Sequence, residues 1–189
     1  MNHSLKLTLV TGGIIFFLLG LYYGAYLPLA KSRLYISTIR SAQSIRSVAD
    51  FKALYDRMFA LYSPVGTEEI VKFMSYDVMG IISIKDQPEE IARALVEYIE
   101  PYLFTNNVRH LLVGAQMYTT LWQNYGHDSD YEAAVRYYRA AYDIGPKLPP
   151  VLFGLLQLYV NHGDMVSANE IGEHIVALWP NAMSPMLTQ

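Results

Sequence analysis

From Leu7 to Leu29 the chain runs without a single charged side chain, LTLVTGGIIFFLLGLYYGAYLPL, and this segment limits the fold more than any other. As a helix rising about 1.5 Å per residue, it spans the roughly 30 Å hydrocarbon core of a bilayer with slight tilt. Tyr22, Tyr23 and Tyr26 gather at one end, where amphipathic rings favour the interface, and Pro28 is expected to mark the exit. A cleaved signal peptide is the competing reading, since Lys6 precedes the run. The processing site would follow Ala30, with Pro28 where a small residue is preferred, and the apolar run exceeds the usual length of such a segment. An uncleaved anchor is therefore expected.

Charge divides the chain in the same sense. Lys6, Lys31, Arg33, Arg40 and Arg46 lie before residue 50, and all 17 acids lie from Asp50 onward. Lys31, Arg33, Arg40 and Arg46 flank the span on its C-terminal side. Positive loops stay in the cytoplasm, so the following domain is expected there, with the extracytoplasmic face as the alternative. An acidic domain is a poor binder of nucleic acid, which is not expected as a partner. Without cysteine, the chain has no disulfide, thiolate metal site or thiol nucleophile. Gly20 and Gly24 make one GxxxG spacing, compatible with a homo-oligomer through the membrane helix. A lone match without a wider stripe of small residues is more often incidental, because glycine is common in membrane helices.

Beyond the span every segment reads as helix. Residues 30–49 place Ile39, Ala42, Ile45 and Val48 or Ala49 on one stripe, predicting a basic juxtamembrane helix whose arginines can touch anionic headgroups. Phe51, Leu54, Tyr55, Met58, Phe59 and Tyr62 mark the next helix, stopped by Ser63-Pro64-Val65-Gly66. Thr67 is expected to cap a helix ending near Lys85, with Glu68 and Glu69 at its positive end. Asp86 and Pro88 open another, and Pro101 should kink or end it.

Residues 105–180 repeat themselves. Leu121 recurs as Leu155, Gln123 as Gln157, Tyr125 as Tyr159, Ala134 as Ala168 and Pro146 as Pro180, each pair 34 apart (155 − 121 in the first case). In DYEAAVRYYRAAYDIGP, Ala134, Tyr138, Ala141 and Pro146 fall in the small, aromatic, small and proline places of a tetratricopeptide (TPR) second helix. The segment resembles that family closely. Small residues let helices approach, the aromatic fills the groove and proline ends the helix. Trp122 stands where the family has a small residue, and Gly172 replaces the aromatic in the second unit.

The fold expected is all-α. An N-terminal tail (1–6) and a membrane helix (7–29) lead into the basic helix (30–49). Helical hairpins acting as degenerate repeats or a cap (50–104), two TPR units (105–180) and a tail (181–189) follow, the hairpins forming an α-solenoid. In TPR domains the first helix of each unit lines a concave groove. The resemblance assigns Gln116, Thr119 and Gln123 to it from the first unit, and Phe153, Gln157, Val160 and Asn161 from the second. None is basic, which departs from TPR domains that clamp a terminal carboxylate.

Segments Tyr23–Arg33 and Ala60–Ile70, followed by TPR units, resemble the C-terminal region of O-antigen ligase and polymerase-type membrane proteins. That resemblance implies association with envelope polysaccharide assembly. The many spans and the catalytic loop of that family have no counterpart here. No reaction chemistry is expected from the residues either. The five histidines form neither HxxxH nor HExxH. His127-Asp128-Ser129-Asp130 lacks the glycine and glutamate of a calcium loop and reads as an acidic turn. Glu89, Glu90, Glu97 and Glu100 read as a solvated helix face. The expectation is a membrane-anchored adaptor or scaffold that binds another protein, without cofactor or metal. Its alternative is the detached tail of a multi-span ligase or polymerase.

Overall fold

The computed structural model describes residues 3–41, 45 and 47–180. The chain is 83% helical, and no strand occurs among the described residues. It divides into two compact units, Met1–Met74 and Ser75–Gln189.

In the first unit, α1 (His3–Leu21) buries no residue at all. A helix apolar all round and uncovered by protein has the surface that lipid, not water, accommodates. It continues as a π turn (Tyr22–Tyr26) and α2 (Leu27–Ser41), so one helix of membrane-crossing length and composition runs from His3 to Arg40. Pro28, expected at the exit, ends the apolar run but not the helix. The Leu27 N–H bonds back five residues to the Tyr22 carbonyl, and this wider turn places Pro28 in the first turn of α2, where its missing N–H is tolerated.

The juxtamembrane helix expected over 30–49 is not one helix. α2 is assigned to Ser41, and Val48 and Ala49 open α3 (Val48–Ala60). Ser47 restarts the helix, its hydroxyl accepting the Asp50 N–H at 3.1 Å. Ile39 is exposed, and Ala42, placed on the same stripe, lies outside the described residues. α3 buries Phe51, Tyr55 and Met58 at helical spacing, whereas Tyr62 is exposed. Gly66, at φ 92°, supplies the turn into α4 (Thr67–Ile82). Its carbonyl accepts the Ile70 N–H, so Thr67 is the first helical residue and not the cap.

In the second unit, α5 (Glu89–Ile99) buries Ala92, Leu95, Val96 and Ile99, a stripe at three- and four-residue steps. Pro101 sits in a 3₁₀ turn, Glu100–Tyr102, which ends the helix as expected. Two helical hairpins follow, α6 (Val108–Tyr125) with α7 (Asp128–Ile144), and α8 (Pro149–His162) with α9 (Met165–Leu178). Gly126 (φ 76°) and Gly163 (φ 85°) adopt the left-handed conformation that closes a helix C-terminus. The core joining the hairpins includes Ala134, Tyr138, Ala141, Leu152, Leu155 and Ile171.

The 34-residue register holds for the second helices and fails for the first. Ile144 and Leu178 end α7 and α9, 34 apart (178 − 144), but the capping glycines are 37 apart (163 − 126). α7 has 17 residues and α9 has 14, so the difference is one added turn at the start of α7. Counted from the capping glycines, Leu121 corresponds to Leu158, not to Leu155 as the sequence suggests. All three are buried, and the helical period hides a displacement of nearly one turn.

Candidate functional site

An open groove of about 840 Å³ runs between α8 and α9. Phe153, Leu156, Gln157 and Val160 form one wall, while the other includes Met165, Gly172, Glu173 and Val176. Its place in the fold follows from the preceding hairpin. There three residues of α7 are among those that receive α8. Tyr131 stacks on His162 with ring centroids 3.6 Å apart, Tyr138 packs against Gly154, and Arg139 donates to the Tyr159 hydroxyl at 2.9 Å. Their counterparts 34 residues on are Met165, Gly172 and Glu173, and all three line the groove. The groove is thus the face of the second hairpin that, on the first, carries the next helix. Gly172 makes it hollow, because the ring that fills this interface at Tyr138 is missing. Phe153 stacks on Trp179 with centroids 6.5 Å apart, fixing one wall.

Of the residues that sequence assigned to a concave groove, three line this one. Phe153, Gln157 and Val160 line the groove. Asn161 is not part of this lining; its side-chain oxygen accepts from Gln157 Nε2 at 2.6 Å. Gln116 and Gln123 are exposed on α6, and half-buried Thr119 turns its hydroxyl back to the Ala115 carbonyl at 2.7 Å. None of these three lines it. On the first hairpin the α7 face that corresponds to the α9 wall is covered by α8, whereas no described helix covers the α9 face. Sequence reasoning missed the α9 wall. Its signal was Gly172 in the aromatic place.

Polar groups elsewhere in this unit are held by one another. Asp130, nearly fully buried, accepts one hydrogen bond from each terminal nitrogen of the Arg93 guanidinium at 2.9 Å, and Arg93 also bonds Glu89. His127 Nε2 stands 2.9 Å from the same Glu89 carboxylate. The Arg93 hydrogen bond, helped by both charges, holds the Glu89 pKa below its ordinary value. Asp130 therefore serves as an anchor for the added turn of α7. Glu100, read from sequence as solvated, accepts from Tyr118 and Tyr137 at 2.7 and 2.8 Å. Burial first, and this hydrogen bond second, push both phenols above their ordinary pKa.

In the first unit Arg33 and Arg40 are exposed, and Arg46 lies outside the described residues. Lys31, expected among these membrane-flanking charges, is only 4% exposed and donates to Thr67 Oγ1 at 2.7 Å. One face of α2 turns it inward.

These features define an all-helical protein with one membrane-length helix and an open interhelical groove. No protein-family model, curated protein or solved structure matches the chain.

Proposed function

We propose that the chain is a single-span membrane adaptor of TPR-like solenoid type, which docks a helix of a partner protein between α8 and α9. The observation carrying this reading is the correspondence of Met165, Gly172 and Glu173 with Tyr131, Tyr138 and Arg139, which hold α8 on the preceding hairpin. The same correspondence describes the occupant. Opposite Gly172 the partner helix supplies a bulky apolar side chain, in the place where Gly154 receives Tyr138. Five residues later, in the place of Tyr159, it supplies a cation for Glu173, which replaces Arg139. A helix laid in an apolar groove is a common mode of recognition.

The basic residues after the span favour a cytoplasmic position for this domain. The likeness of Tyr23–Arg33 and Ala60–Ile70 to O-antigen ligase-type tails favours a partner in envelope polysaccharide assembly. In this reading the chain itself positions proteins and carries out no reaction.

The test is a photo-crosslinking amino acid at Val176 in the full chain, activated in native membranes. A discrete protein adduct is expected, lost in both Gly172→Trp, which fills the groove, and Glu173→Lys, which reverses its charge. An adduct unchanged by both substitutions, or none at all, rejects the reading. An adduct of twice the chain's mass identifies a second copy as the occupant and rejects the adaptor.

A further inference from the structure

The first unit contains a second cavity, about 300 Å³, immediately beyond the apolar run. Two helix faces wall it. Pro28, Lys31 and Tyr35 come from α2, and Glu69 and Phe73 from α4, with Gly66 at the turn between. The size is at the lower end for small-molecule sites and suits a compact polar group. Lys31 directly follows Ala30, the last residue of the uncharged run, about 1.5 Å along the helix. For a helix that spans a bilayer through residues 7–29, this is the level at which phosphates are presented.

Lys31 is the unusual part. Its side chain is buried, and the hydrogen bond to Thr67 uses one of three N–H donors. No carboxylate pairs with it in an ion pair among the described residues. A buried cation left with only a hydroxyl is costly unless an anion completes it. Glu69 in the wall argues against a simple anion, which it would repel. A group that carries both charges satisfies both residues. The rings of Tyr35 and Phe73, 5.4 Å apart, add an apolar surface beside them.

We propose that this cavity binds the phosphoethanolamine headgroup of a membrane lipid. Lys31 donates to the phosphate, and Glu69 accepts from the primary ammonium. A choline headgroup has no N–H to offer Glu69, and a glycerol headgroup leaves its charge without a cation. The lipid fixes α2 to α4 at the membrane surface.

The full chain in detergent micelles is titrated with phosphatidylethanolamine, phosphatidylcholine and phosphatidylglycerol of identical acyl chains, and binding is read by native mass spectrometry. Inorganic phosphate is added as a competitor. Phosphatidylethanolamine is expected to bind about tenfold or more tightly than the other two, the range of a lost charge-assisted hydrogen bond. Lys31→Met removes this binding, Lys31→Arg retains it, and Glu69→Gln abolishes the preference over phosphatidylcholine. Equal binding of the three lipids, or Lys31→Met behaving as the parent, overturns the proposal. Displacement of the lipid by inorganic phosphate assigns the site to free phosphate and overturns it too. Should Lys31→Met lose its helical signal, Glu69→Gln decides: persistence of the preference refutes the headgroup, and its loss supports it.

Discussion

Tyr138 of α7 fills the space that a side chain on Gly154 of α8 would take, so a Cβ at position 154 would overlap the phenol ring. This pair is one point of close approach between the two hairpins. At Gly172, which holds the Tyr138 place in α9, a Cβ meets nothing within 4 Å. One glycine is required by packing and the other leaves a groove.

Gly154→Ala is therefore expected to destabilise the protein by about 1–3 kcal/mol, as overpacking does. Gly172→Ala is expected to stabilise it by about 0.5–1 kcal/mol, the gain of removing glycine from a half-buried helix position with open space beside it. Denaturant melts of the full chain in detergent, followed by circular dichroism, measure both. Equal and small effects would show that the hairpins do not meet at Tyr138.

Arg93 and Asp130 tie α5 to the added turn of α7, and the two sides of this pair are unequal. The Arg93 side chain is 30% exposed, and that of Asp130 is 3% exposed. Arg93→Met strands a buried carboxylate and should cost about 2–4 kcal/mol. Asp130→Asn leaves a guanidinium that keeps Glu89 and reaches water, and should cost about 1 kcal/mol. The same melts read the order of the two losses. A greater loss for Asp130→Asn would contradict the burial of that carboxylate.

Tyr118 and Tyr137 share Glu100, and both phenols are raised above their ordinary pKa, chiefly by burial. The folded state thus holds these protons more tightly than the unfolded chain does. Their contribution is complete below about pH 10, the unfolded value, and is lost as pH rises through the higher folded values. Melting temperature should accordingly fall above that pH. Because the hydrogen bond to Glu100 is the smaller cause, Glu100→Gln should weaken this alkaline dependence without removing it. An alkaline limb that vanishes entirely in Glu100→Gln would make the carboxylate, and not burial, the main cause.

Much of the helical order was legible because its causes are local. Ser63-Pro64-Val65-Gly66 separates α3 from α4, Pro101 ends α5, and Ala134 and Ala168 are buried as the repeat implies. The first-helix register was misread for an equally physical reason. Leu121, Leu155 and Leu158 are all core leucines, and a shift of three residues keeps a side chain near the same helix face. Matching letters cannot detect the added turn that brings Asp130 to Arg93.

By itself the sequence determined what depends on neighbours along the chain. An uncharged run of membrane length, glycines that close helices, and prolines that stop or start them act within a turn or two. The tertiary structure alone decided what depends on residues far apart. It turned Lys31 inward to Thr67, 36 positions away, carried the helix through Pro28 by a π turn, and left one face of α8 and α9 uncovered. Whether a face becomes core or groove is set by which helix arrives to cover it. That is a long-range outcome, and the hydrophobic period of the helix is the same in either case.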